Sequence, residues 1–268
     1  MGVSKNLVLG GSGLIGSALM KYLHQIGEEA INIDLKEGND LREMDLSPYV
    51  GVDYVWFLAW DVGGAKYLTA EKNLLQILRN NTIICEKVFH FLELTNIPFL
   101  FTTTQLADTH NTYGITKILG EEWTRLLGGQ MARLWNVYGW EEPGERSHVI
   151  PDLVIQGLLQ KKINLLTTGI EERQFVYVED AVKNLVTIRN QKIPVADLTN
   201  GNWISIKDVT ASISILLNVP YSLGDVVGYH HKIEPNIHSS LSYQFNLEQG
   251  IRVIIDEAKN YISANGLK

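Results

Sequence analysis

Three spaced glycines, Gly10, Gly13 and Gly16, mark the seven residues Gly10-Gly11-Ser12-Gly13-Leu14-Ile15-Gly16, between a short apolar run, Asn6 to Leu9, and an amphipathic stretch reaching roughly Ile26. The pattern reads as a strand, a tight turn and a helix. Each glycine then has its own task. Gly10 permits the turn, Gly13 lets the backbone approach a pyrophosphate at the helix N-terminus, and Gly16 allows close packing of helix on strand. A second apolar run, Ala30 to Asp34, ends in a carboxylate 18 residues beyond Gly16. At about that spacing an acid accepts hydrogen bonds from ribose hydroxyls and repels a 2′-phosphate, which favours NAD over NADP.

Val52 to Ala59 and Pro98 to Phe101 read as further strands, with the helical pattern Glu71 to Leu94 between them; Tyr113 to Leu127 reads as a helix and Met131 to Val137 as a strand. Strands alternating with helices predict an α/β fold, a doubly wound parallel sheet of the Rossmann type covered on both faces. Beyond Gly139 comes a polar loop, Glu141 to Glu145, and then helices and short strands without regular alternation. A small mixed C-terminal substrate lobe is expected there, with a cleft between it and the sheet. The expected division is 1–140 for the dinucleotide-binding domain, with roughly 174–200 packing back onto it, and 141–173 plus 201–268 for the lobe.

Composition narrows the function classes. The 268 residues carry 23 Lys+Arg against 30 Asp+Glu, a formal charge of -7, so no global field draws the chain to nucleic acid or to an anionic membrane surface. No run approaches the ~20 apolar residues of a membrane span. The single cysteine, Cys85, cannot form an intrachain disulfide, and no long apolar leader follows Met1, so a reducing cytoplasmic location is expected. Cys85 reads as core, Lys161-Lys162 as a solvated helix end, and His230, His231 and His238 as a loop without metal-ligand spacing, so no metal is expected. Trp56, Trp60, Trp123 and Trp135 read as packing residues, Trp135 with a possible second contact to the cofactor.

Tyr113-Gly114-Ile115-Thr116-Lys117 places a tyrosine and a lysine four apart at a helix start, hence on one face. An ammonium beside a phenol favours the phenolate, which suits a general base acting on a hydroxyl. Thr102-Thr103-Thr104, at the end of the strand before, offers a hydroxyl to orient the substrate oxygen.

These residues, in this order, resemble the extended short-chain dehydrogenase/reductases, the NAD-dependent nucleotide-sugar epimerases and dehydratases. Residues 10 to 16, including Ser12, Leu14 and Ile15, look like the family's GGxGxxG turn, and Asp34 like its NAD-selecting acid. Asp40-Leu41 looks like its pair beside the adenine, Leu58-Ala59, followed by Trp60, like the end of its fourth strand, and Asn81 like the asparagine of the next helix. Thr103 best matches the catalytic Ser/Thr, with Thr104 the other register, and Tyr113 with Lys117 matches the catalytic pair. Arg133 to Gly139 is similar to the R-x-x-N-v-y-G strand end, and Arg173 to Asp180 to the R-d-f-v-y-V-x-D segment. The resemblance thus implies that Asn136 and Arg173 contact a substrate diphosphate, that the partner is a nucleotide-diphosphate sugar, and that a homodimer is the working form.

Departures from the family pattern bear on the reaction. Phe57 stands where a histidine is common, and only ten residues separate Thr103 from Tyr113. The Asp-Glu pair that 4,6-dehydratases carry after the threonine is absent in either register, and the sole cysteine lies too early for the 3,5-epimerase branch. The resemblance therefore implies an NAD-dependent epimerase acting on a hydroxyl-bearing carbon, C4 by preference, through a keto-sugar. The alternatives are a 4-reductase, dehydrogenase or dehydratase on a similar sugar, and an NAD sensor without turnover.

Overall fold

In the computed structural model, residues 3–107, 110–228 and 233–267 are described. In chain order the elements are β1 (Lys5–Leu9), α1 (Leu14–Gln25), β2 (Glu29–Ile33), β3 (Tyr54–Phe57), a short α2 (Ala65–Thr69), α3 (Glu71–Thr95), β4 (Phe99–Thr104), α4 (Thr112–Leu126), β5 (Gln130–Leu134) and β6 (Asn136–Tyr138). There follow α5 (Val149–Gln160), β7 (Ile163–Asn164), β8 (Glu172–Tyr177), α6 (Val178–Gln191), β9 (Val195–Leu198), β10 (Trp203–Ser205), α7 (Ile206–Leu217), β11 (Tyr221–Ser222) and α8 (Leu247–Ala264).

Six strands form one parallel sheet in the order β2-β1-β3-β4-β5-β9. Its inner strands are apolar on both faces, as a sheet wrapped by helices requires. Leu7, Leu9, Val55, Phe57, Phe99 and Phe101 join one core with Cys85, Val88 and Phe89 of α3. Val8, Trp56, Leu100 and Ala132 join the other with Leu19 and Leu23 of α1 and Leu185 and Ile188 of α6. The chain order reverses direction in the sheet between β1 and β3, so the crevice at the carboxyl ends of these strands is the natural ligand site.

Two expectations are corrected. Between β2 and β3 the alternation lapses: residues 34–53 form only two 3-10 turns, Leu35–Glu37 and Ser47–Tyr49. Asp34 stops the strand by accepting the Lys36 N–H on its side chain and capping the first turn. Met131 to Val137 is also not one strand. After Leu134 the chain leaves the large sheet; the Val137 N–H bonds the Trp135 carbonyl at 3.0 Å, closing a three-residue turn. β6 then pairs with β8 in a three-stranded sheet, β10-β8-β6. A continuous apolar run carries no mark of such a change of sheet. The expected histidine loop lies partly outside the described residues (His230, His231); the His238 ring accepts the Ser240 N–H at 3.2 Å. No helix among the described residues is long and apolar enough to cross a membrane.

Candidate active site

The glycine turn is built by close approach. Gly10 has φ +92°, and a Cβ there would lie 2.7 Å from the Ala59 nitrogen; a Cβ on Gly16 would strike the Gly10 carbonyl oxygen. Gly13 caps α1 with no side-chain hydrogen bond, and the first turn of α1 holds no acidic residue. The free N–H groups and the positive end of the helix dipole are thus left for an anion, as a cofactor diphosphate requires. Asp34 lies at the rim of this cradle, its carboxylate accepting the Ser12 N–H at 3.0 Å and the Lys36 N–H at 2.8 Å. Wild-type protein should bind NAD at least about tenfold more tightly than NADP, and Asp34→Ala should narrow that gap in calorimetric titrations. Equal wild-type affinities would remove Asp34 from cofactor choice.

The other residues expected near the cofactor separate into two groups. Leu58 and Ala59 follow β3 directly, both N–H groups bonding the Leu9 carbonyl beside the glycine turn. Asp40 pairs with Arg42 at 2.6 Å, and Leu41 is 5% exposed in the α3-side core.

The first turn of α4 carries Tyr113 and Lys117, and its cap, Asn111, fixes that turn by accepting the Gly114 N–H at 2.6 Å. Burial pushes the Tyr113 phenol up, and the Thr104 hydroxyl near it opposes that. Lys117 is buried, donating to the Thr102 carbonyl at 2.7 Å. Burial brings its ammonium down to about 7, against the opposing pull of the Cys85 thiol and the Glu121 carboxylate. In the chain by itself, then, burial disfavours both the phenolate and the ammonium that the Tyr-Lys spacing suggested. Burial also pushes the Cys85 thiol up to about 12, so it is no nucleophile.

The two threonines have different surroundings, because successive side chains of a strand point to opposite faces. The Thr104 hydroxyl lies near Tyr113 at the start of α4, whereas the Thr103 hydroxyl donates to Glu121, further along the same helix, at 2.7 Å. Arg133 joins Glu121 at 3.4 Å, and Thr103, Arg133 and Asp197 lie side by side on β4, β5 and β9. Of the two registers, it is the Thr104 hydroxyl that lies toward the tyrosine.

Trp135, 6% exposed at the β5–β6 turn, packs against Trp203 with ring centroids 5.6 Å apart. Asn136 on β6 donates to the Gln174 carbonyl at 3.3 Å, and Arg173 stands on the neighbouring strand β8. Asn136 and Arg173 thus stand on adjacent strands of the second sheet. Sequence reasoning missed a further cluster. Arg146 pairs with buried Asp61 at 2.9 Å and covers the Tyr67 ring at 4.2 Å, tying the loop after β3 to the loop before α5. The Asp61-Val62-Gly63-Gly64 turn was visible, but nothing local points to a partner so far along the chain.

A model of the NAD dependent epimerase/dehydratase family matches residues 6–197. Among solved structures, the NAD-dependent NDP-hexosamine 5,6-dehydratase TunA of tunicamycin biosynthesis superposes with a TM-score of 0.82 at 19% identity, over 94% of this chain and 96% of that one. The UDP-glucuronic acid 4-epimerase of Bacillus cereus, in complex with UDP-glucuronic acid and NAD, superposes with a TM-score of 0.79 at 19% identity, over 96% and 99%. MoeE5, in complex with UDP-glucose and NAD, gives 0.82 at 17% identity, over 97% and 100%. With the glycine cradle, the Tyr-Lys pair and a family match over most of its length, the chain belongs to the NAD dependent epimerase/dehydratase family.

Proposed function

We propose that this chain is a nucleotide-sugar epimerase that removes a hydride from one hydroxyl-bearing carbon, C4 by preference, and returns it to the opposite face. The observation that carries this reading is the Thr104–Tyr113–Lys117 group at the carboxyl ends of the sheet strands, with no carboxylate directly after either threonine. NAD supplies hydride acceptance and return. The residues of the chain hold the proton. Thr104 orients the sugar hydroxyl, Tyr113 takes its proton and gives it back, and Lys117 stabilises the phenolate while that proton is held. Net epimerisation balances, because the hydride and the proton both return to the sugar.

Binding roles follow from placement. The open N-terminus of α1 takes the cofactor diphosphate, with Ser12 and Asp34 at its rim and Leu58 to Trp60 along one wall. Asn136 and Arg173 face the diphosphate of the sugar nucleotide. Residues 1–140 with 174–200 form the cofactor half, and 141–173 with 201–268 the substrate lobe. A homodimer is part of the same reading: α3 and α4 pack side by side and leave Leu75, Leu78, Ile115 and Leu119 exposed.

The deciding experiment incubates the protein and NAD with UDP-, GDP- and dTDP-hexoses and follows products by mass spectrometry. The expected product has unchanged mass, forms without added reductant and leaves no NADH behind. Loss of water would make the enzyme a dehydratase. A gain or loss of two hydrogens would make it a net oxidoreductase.

A further inference from the structure

The Lys117 ammonium is enclosed by rings. Its Nζ lies 4.2 Å from the Trp60 ring centroid, 4.7 Å from that of Phe101 and 5.9 Å from that of Tyr113. Trp60 is itself fixed at both ends. The indole N–H donates to the Thr116 hydroxyl at 3.1 Å, and that hydroxyl donates to the Tyr113 carbonyl at 2.8 Å. Buried Asn81 reaches the same hydroxyl at 3.4 Å and brackets the backbone of the next residue, accepting the Asp61 N–H at 2.6 Å and donating to the Asp61 carbonyl at 3.1 Å. The indole also packs on Phe57 and Phe101, at 5.7 and 5.3 Å between centroids.

We propose that Trp60 is a positioning residue: its ring face holds the catalytic lysine in place, and Thr116 and Asn81 hold the ring. This rests on the catalytic reading of Lys117 given above. A lysine is a compact charge on a flexible four-carbon stem, and it acts on a phenol one helical turn away only if it stays put. The Thr102 carbonyl takes one of its donors, and a desolvated π face favours the charged form from another side. The other titratable groups facing it are Tyr113 and Glu121 from α4 and Cys85 from α3. None of them is a carboxylate in hydrogen-bond contact with Nζ, so the Thr102 carbonyl and the Trp60 ring face are what lies directly against the charge.

Trp60→Leu keeps apolar cover and removes the π face. The sign is fixed: cation–π attraction stabilises the ammonium, so its loss lowers the lysine's proton affinity by up to about tenfold, or one pH unit. Full-length protein labelled with ¹⁵N-lysine, titrated by NMR with and without NAD and with the Lys117 signal assigned by Lys117→Arg, reads this directly. The expected result is a lower Nζ midpoint in Trp60→Leu, a smaller fall in Thr116→Val, which frees the indole, and a near wild-type midpoint in Trp60→Phe, which keeps a ring. The alkaline fall of kcat/KM should move the same way, while calorimetry should show weaker NAD binding in Trp60→Leu. An unchanged or raised midpoint in Trp60→Leu overturns the proposal, as does a Trp60→Phe midpoint matching Trp60→Leu. If Trp60→Leu does not fold, Thr116→Val decides it: a lowered midpoint supports the proposal, and an unchanged or raised one overturns it. The titration stands whether or not any nucleotide sugar is turned over, so a failed epimerase reading and a failed clamp are distinguishable.

Discussion

Tyr113→Phe should keep the fold and the affinity for NAD while losing about 10²–10⁴-fold in turnover, the usual contribution of a positioned acid-base group. Removing the phenol oxygen keeps the ring, and so leaves the packing of α4 intact. The phenol is also the group whose environment is least suited to it in the isolated chain, since burial pushes its pKa up. Phenolate formation therefore depends on what arrives in the site and on a charged Lys117, whose proton affinity burial has brought down to about 7. Stopped assays on the nucleotide sugar that the wild type converts, together with calorimetry for NAD, measure both halves. A mutant retaining more than about a tenth of the wild-type rate removes Tyr113 from the mechanism. Activity should fall as pH rises through the lysine's midpoint, because the ammonium is lost there.

How much of this was legible in the sequence depended on distance along the chain. The glycine turn and the Tyr113–Lys117 pair are local: seven consecutive residues and one helical turn contain their whole geometry, and both stand where their spacing predicts. The parallel sheet was legible because its inner strands are apolar on both faces and so read as unbroken runs. What escaped is set by contacts between distant segments. Trp60 looked like one more packing aromatic, because its meeting with Lys117 and Thr116 depends on how α4 lies against the end of β3. Asp61 and Arg146 meet only because the loop after β3 and the loop before α5 close over the same end of the sheet.

The two threonines supply the sharpest case, since adjacent residues of one type cannot be ranked by composition or spacing and the strand's alternation assigns them opposite faces. Thr104→Val should lose roughly 10²–10³-fold in kcat, the typical cost of removing a donor aimed at the reacting oxygen, with little change in NAD affinity. Thr103→Val should leave kcat near wild type and act on stability instead. Its hydroxyl is the 2.7 Å partner of Glu121, a carboxylate 21% exposed whose nearest cation, Arg133, is 3.4 Å away. Removing that donor should cost about 1–3 kcal/mol, read as a lower Tm. Each valine keeps the β-branched shape of the strand residue; Thr104→Val also frees the Leu106 N–H, which its hydroxyl accepts at 3.1 Å, so kcat is the reading that separates the two variants. If the kinetic loss follows Thr103 and Thr104→Val keeps its kcat, the assignment of the two faces of β4 is wrong, and with it the placing of the sugar oxygen between Thr104 and Tyr113.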